Sequence, residues 1–291
     1  MLRTADATSM ALDEHVSAAI ASAWRHWPVA GACVLASLAF VWFKGLSLRA
    51  AVASQGQRIG RLPAARLFAE GVAIELVSWP SKLWADVYRV SQLPTSPLSQ
   101  RISGIAIFRV AAVVSTGATL AVGVALQQAS FMLTLALLVG LAIGLTCLLA
   151  RRACGTFRAA LRAMPSALAA SACDVLAVCA LAYFLGGVSP EAFVASFVVV
   201  SLASSLASLP QGLGTIEAGL WLALTQRHDV APSDATAIVA LYRLTGPGVT
   251  TLIGAMCLPL GGLLLTRKMQ LLSARGRFPE IEGDASRIYS R

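Results

Sequence analysis

From Ile102 to Ala150 the chain carries one charged residue, Arg109. From Ala163 to Gln226 it carries only Asp174, Glu191 and Glu217, and from Leu244 to Thr266 none. Stretches this long and this poor in charge cannot face water on any side. A helix crossing the hydrocarbon needs about 20 apolar residues, and these stretches supply several. Charged residues make up 13% of the chain, against roughly 25% in a soluble domain. With 57% hydrophobic residues, that excludes a soluble globular enzyme, a disordered chain and a secreted disulfide scaffold.

The expected spans are Ile102–Leu126, Phe131–Ala150, Ser166–Leu185, Ala192–Leu209 and Leu244–Leu265. Pro28–Phe43 is shorter but flanked by Trp24, Trp27 and Trp42, the residue type favoured at a membrane–water interface. Leu67–Val90 and Leu213–Gln226 are too short or too polar to cross alone. Gly140 and Gly144 form a G-x-x-x-G, which predicts a close helix–helix contact.

Loop charge orients the spans. Lys44, Arg49, Arg58, Arg61 and Arg66 lie in a segment without acids, and so do Arg151, Arg152, Arg158 and Arg162. Arg267, Lys268, Arg275 and Arg277 follow the last span. The positive-inside rule assigns all three segments to the cytoplasm. An even number of crossings must then separate the second from the third. That holds if Ala192–Leu209 dips in from outside, breaks at Pro210-Gln211-Gly212-Leu213-Gly214, and returns through Thr215–Gln226. Leu67–Trp79 behaves as its mirror, breaking at Pro80 and returning through Ser81–Val90.

The two breaks resemble one another. Ser78-Trp79-Pro80-Ser81-Lys82-Leu83 and Ser208-Leu209-Pro210-Gln211-Gly212-Leu213 both read S-x-P-x-x-L, 130 residues apart. An acid follows each, Asp86 and Glu217, and an arginine follows each acid, Arg109 and Arg243. Paired interrupted segments in inverted halves are the pattern of alternating-access transporters, with the substrate at the breaks. Irregular backbone at membrane depth must face protein or a wet cavity. A half-helix starting there offers unpaired N–H groups and a positive dipole end to anions such as phosphate. Ser81 and Thr215 are the expected N-caps.

A charge at mid-bilayer costs roughly 2.5–3.5 kcal/mol on insertion scales, so each needs a partner, a cavity or a function. Glu217 fits a cationic headgroup, a proton or a gate paired with Arg243, or simply a first-turn acid stabilised by the helix dipole. Arg243, preceded by Tyr242, fits a phosphate ligand or a snorkelling side chain. Lys82, Asp86 and Arg89 are spaced to share one helix face, either as ligands or as a solvated, self-paired face. Asp174 fits either a site or a pairing with a neighbouring span. Glu70 and Glu75 rank below these, and Glu191 reads as a loop-edge acid.

Other chemistries lack their motifs. The six cysteines form no C-x-x-C. There is no phosphate loop and no H-E-x-x-H, and the three histidines lie in tails or loops. No catalytic set, metal site or cofactor is expected, and no nucleic-acid partner. The N-terminus lacks the pattern of a cleaved signal peptide.

Leu209-Pro210-Gln211-Gly212-Leu213-Gly214-Thr215-Ile216-Glu217-Ala218, followed by Leu241-Tyr242-Arg243-Leu244, resembles the signature of the lysylphosphatidylglycerol synthase transmembrane-region family. Its usual form is P-G-G-L-G-x-x-E with a later tyrosine–arginine pair. Residues 78–89 resemble the family's L-P-x-x-x-G-[DE]-x-x-R, and Phe108-Arg109 its E-R. Gln211 and Trp84 stand where the family has glycine, and Phe108 where it has glutamate. The resemblance covers about residues 29–265. It implies a bacterial or archaeal inner-membrane protein with a flippase-like domain that moves aminoacylated, hopanoid or polyprenyl-linked lipids between leaflets. Synthase activity is not carried over, because only 26 residues follow Leu265.

The expectation is an all-α, polytopic membrane bundle with two re-entrant, broken helical hairpins in an inverted repeat. Residues 1–26 form an N-terminal tail, with an interfacial helix as one option. Residues 27–266 form the flippase-like transmembrane domain, and residues 267–291 a basic cytoplasmic tail. The expected function is lipid translocation in a bacterial inner membrane, without enzymatic activity. The alternatives are a secondary transporter of a small solute, a membrane-embedded lipid-modifying enzyme and a non-catalytic partner in an envelope-lipid pathway. Expected partners are anionic, aminoacylated or isoprenoid-linked lipids, with a second copy or a lipid-synthesis enzyme as further options. The expected substrate ligands are Lys82, Asp86, Arg89, Arg109, Asp174, Gln211, Glu217, Tyr242 and Arg243. Pro80, Pro210, Gly212 and Gly214 supply the breaks.

Overall fold

The computed structural model describes residues 27–77, 81–93, 97–125, 156–206 and 214–258. They are mostly helical, with no strand among the described residues. The elements are α1 (Trp27–Ala53), α2 (Arg61–Val77), α3 (Ser81–Gln92), α4 (Leu98–Ala125), α5 (Thr156–Gly186), α6 (Pro190–Leu206), α7 (Thr215–Leu222) and α8 (Pro232–Leu258). Helices α1, α4, α5 and α8 are long and apolar enough to cross a membrane. The 27 residues of α1 reach about 40 Å at 1.5 Å per residue, against a hydrocarbon core of about 30 Å. Their outward faces carry large exposed apolar side chains, among them Leu35, Val113, Leu176 and Leu252. That surface suits lipid and not water. The expected span Phe131–Ala150, with Gly140 and Gly144, lies outside the described residues, as do the two tails and Pro80, Pro210, Gln211 and Gly212.

Two boundaries differ from the sequence reading. Helix α1 does not stop at Phe43 but continues for ten residues, so Lys44 and Arg49 are helical rather than loop residues. The residues around them, Gly45–Leu48 and Ala50–Val52, are small or apolar, and most of them are buried. A single cation does not end a helix whose packed face continues. Helix α8 starts at Pro232, where a first-turn proline lacks only an N–H that would be orphaned anyway. Arg243 is therefore near the middle of an apolar helix, not ahead of one. Just beyond it, Leu244–Gly248 forms a π-helical turn around Pro247. Proline cannot donate to the carbonyl four residues back, which opens the α ladder at that point.

The core is divided. One cluster packs Leu48, Val52, Phe68, Ile105, Phe108 and Ala163 from α1, α2, α4 and the first part of α5. The other packs Cys33, Val178, Leu181, Phe193, Leu220 and Ile238 from α1, α5, α6, α7 and α8. Helices α1 and α5 run through both clusters and pack on each other. Between the clusters, α1 presents Phe40 and Lys44, and α5 presents Ser171 and Asp174. The polar residues thus occupy the seam where neither core closes. Elsewhere polar groups are tied down. Glu70 on α2 is 3% exposed, but accepts from Arg66 at 2.6 Å and from the Tyr88 hydroxyl at 2.9 Å, fastening α2 to α3. Arg66 also donates to the Cys257 carbonyl at 3.2 Å, fastening α2 to α8.

Candidate functional site

Helices α2 and α3, on either side of residues 78–80, pack on each other, and so do α6 and α7, on either side of residues 207–213. Each second helix then delivers an acid to an arginine on the following long helix. In the first half, Arg109 of α4 grips Asp86 of α3 as a fork, Nε to Oδ2 and Nη2 to Oδ1, both at 2.9 Å. In the second half, the Arg243 Nε of α8 pairs with the Glu217 carboxylate of α7. A planar guanidinium matches a carboxylate in this way and a phosphate equally well.

The first-half cluster is the larger. Arg109 Nη2 also donates to Glu75 Oε1 at 3.3 Å and to the Lys82 carbonyl at 3.5 Å. Arg89 of α3 donates from Nη1 to Asp86 at 2.9 Å and to Glu75 at 3.4 Å, and from Nη2 to the Phe68 carbonyl at 3.4 Å. Its guanidinium lies 5.5 Å from the Phe68 ring centre and is 1% exposed. Three cations, Lys82, Arg89 and Arg109, face two acids, Glu75 and Asp86, leaving one positive charge in excess. The sequence option of a solvated, self-paired face on α3 does not describe this arrangement. Asp86 and Arg89 do pair at i,i+3, but inside a network that includes α2 and α4.

The second half is anchored differently. Gly214, at φ 82°, is the N-cap of α7, and its N–H donates to Glu217 Oε2 at 2.8 Å. Thr215 is the first helical residue instead of the cap, because the chain enters through a left-handed turn that glycine adopts without strain. Glu217 thereby uses one oxygen on the helix terminus and the other on Arg243.

Two adjoining cavities, of about 220 and 240 Å³, lie in the seam. They share Phe40, Lys44, Asp174 and Tyr242. The first extends to Glu75 and Arg109, and the second to Lys82, Ser201 and Ile216. The Tyr242 hydroxyl donates to Asp174 Oδ1 at 3.5 Å. Of the expected ligands, Lys82, Arg109, Asp174 and Tyr242 line these cavities. Arg89, Asp86, Glu217 and Arg243 do not line them: Arg89 pairs with the wall residue Glu75 and Asp86 with the wall residue Arg109, while Glu217 and Arg243 pair with each other. Arg89 in particular is enclosed, 1% exposed and paired with Glu75 and Asp86.

Lys44 and Glu75 are the residues the sequence reading undervalued. Loop charge groups Lys44 with the cytoplasmic basic segment and Glu75 ranks low among the acids, whereas both line the first cavity. The available signal for Lys44 was the apolar and small sequence on both sides of it, which continues the helix and buries the charge.

No family model matches the chain, and no curated protein or solved structure is significantly similar to it.

Proposed function

We propose that the protein is a membrane-embedded lipid translocase of the flippase-like kind, in a bacterial inner membrane with its C-terminus cytoplasmic. The observation that carries this reading is the shared polar seam. Arg109 and Glu75 from one half and Asp174 and Tyr242 from the other line one cavity within a bundle of apolar helices. Charge in such a place needs a use, and a lipid headgroup crossing the bilayer supplies one.

In this reading the two broken elements are re-entrant hairpins inserted from opposite faces, and the acid–arginine pairs Asp86–Arg109 and Glu217–Arg243 are equivalent points of an inverted repeat. The motif spacing and the matching pairs support it. A lipid phosphate entering the seam is drawn by the excess cation of the first cluster and competes with Asp86 for Arg109. The displaced acid is left to bind a cationic headgroup or to restore the pair once the lipid leaves. Apolar outer faces let the acyl chains stay in the bilayer while the headgroup passes. The resemblance to the lysylphosphatidylglycerol synthase transmembrane region supports aminoacylated or isoprenoid-linked lipids as the cargo.

The test is reconstitution of the purified protein in liposomes with labelled phosphatidylglycerol, an aminoacylated phosphatidylglycerol and a polyprenyl phosphate, scored by quenching of the outer leaflet. Faster exchange of one of these than in protein-free vesicles is expected, with loss of the excess rate in Arg109→Gln and Arg243→Gln. Exchange of none of them, with uptake of a soluble solute instead, would replace this reading by a secondary transporter.

A further inference from the structure

We infer that Asp174 and Lys44 form a proton site at the waist between the two cavities, and that protonation of Asp174 couples lipid movement to a proton gradient. The step concerns residues that phosphate recognition leaves unused. Asp174 lies near the middle of α5, and Lys44 lies within α1, both on the wall that the two cavities share. Among the described residues no ion pair within 4.0 Å includes either one. The Lys44 ammonium stands 5.4 Å from the centre of the Phe40 ring, and Asp174 receives the long Tyr242 hydrogen bond. A carboxylate and an ammonium thus face the same space without closing on each other.

The surroundings select a proton over other cations. A divalent ion favours several carboxylate ligands, and no group of three or more His, Cys, Asp or Glu side chains that could hold a metal occurs among the described residues. A neighbouring ammonium repels such ions, whereas a proton needs one carboxyl oxygen. The charged and titratable groups lining the two cavities are Lys44 of α1, Glu75 of α2, Lys82 of α3, Arg109 of α4 and Tyr242 of α8. Among the described residues, helices α6 and α7 contribute Phe197, Val198, Ser201 and Ile216 to the same walls.

The position supplies the coupling. A proton entering through one cavity reaches Asp174 and leaves through the other, with the O–H bond formed on one side and broken on the other. The ionised carboxylate attracts Lys44 across the waist and holds Tyr242. The neutral acid releases the attraction, and α8 carries the change to Arg243 and its partner Glu217 next to Tyr242. Protonation therefore biases which cavity the waist admits.

The protonation itself is tested without any lipid substrate, by infrared titration of the detergent-solubilised protein between about pH 8 and about pH 4. The expected result is a protonated-carboxyl band that is lost in Asp174→Asn and titrates at a different pH in Lys44→Gln, where a facing charge is gone. No such band, a band that survives in Asp174→Asn, or a midpoint indifferent to Lys44→Gln would overturn the site. If Asp174→Asn fails to fold, the Lys44→Gln comparison decides. The coupling rests on the translocase reading and is tested in the lipid assay. A gradient of about two pH units is worth up to about a hundredfold bias in leaflet distribution, expected in wild type and absent in Asp174→Asn. Lipid movement indifferent to the gradient would overturn the coupling. No lipid movement in wild type would instead remove the translocase reading and leave the infrared result standing.

Discussion

Gly71 is the position where one methyl group reports on the charged cluster. It lies on α2 one turn before Glu75, and a Cβ built there falls on the Nε, Cζ and Nη2 atoms of Arg89. The end of an arginine gives way easily when nothing holds it. Here Nη1 is tied to Asp86 at 2.9 Å, the Phe68 ring lies alongside, and almost no surface is open. Gly71→Ala therefore has to push the guanidinium off its partners. Losing one charge-assisted hydrogen bond costs about 1.5–3 kcal/mol, and overpacking costs about 1–3 kcal/mol. The better helix propensity of alanine returns about 1 kcal/mol. The net expectation is a destabilisation of about 2–4 kcal/mol. In an Arg89→Met background the methyl meets a flexible thioether, and its cost falls to within about 1 kcal/mol of zero. The coupling energy of the cycle is then about 2–3 kcal/mol. Detergent-denaturation curves of the four proteins, followed by tryptophan fluorescence, measure it. Additivity of the two substitutions within about 0.5 kcal/mol would refute the enclosure of Arg89.

Asp86→Asn removes the charge shared by the Arg109 fork and the enclosed Arg89, so stability should drop by about 2–4 kcal/mol, while labelled anionic lipid should bind tighter, as read by quenching titration. Glu217→Gln weakens the tie to Arg243 and is expected to cut leaflet exchange about tenfold or more with normal detergent monodispersity, whereas Glu191→Gln, at the start of α6, should leave exchange unchanged. His228, between α7 and α8, sits 3.2 Å from the Ser196 hydroxyl and edge-to-face with Phe193. Burial, reinforced by Arg227, holds its imidazole below its ordinary value of 6.5. A base with a depressed folded value stabilises while neutral, so its contribution is present above about pH 6.5 and lost as pH falls through the lower folded value. The thermal midpoint of wild type should therefore drop on acidification more than that of His228→Gln, measured in the same detergent.

Much of this was legible in the sequence, for physical reasons. Charge-free runs place α4, α5 and α8 because apolar length alone decides whether a helix can cross. The acid–arginine pairs could be paired from order along the chain, since each acid and its arginine lie in consecutive elements and an unpaired charge there is costly. Lys44 could not be read so easily. A lysine near the end of an apolar run looks like the start of a basic loop, and only the packing of Gly45, Ser47 and Leu48 shows that the helix continues. The enclosure of Arg89 was also hidden, because Asp86 and Arg89 on one helix face suit water as well as a third helix. What Glu75 contributes depends on α4 arriving beside α2, a relation that spacing along the chain does not encode.

The π-helical turn after Arg243 sets the phase of everything that follows it. Tyr242 before that wider turn, Gly246 within it and Thr250 after it border the first cavity together. The same five residues wound as ordinary α-helix would turn through about 500° instead of about 400°. Thr250 would then be swung about 100° around the axis relative to Tyr242 and leave the cavity. Replacing a side chain in this stretch repaints the wall, but tightening the turn at constant length rotates the wall away; what these five residues preserve is the width of their turn.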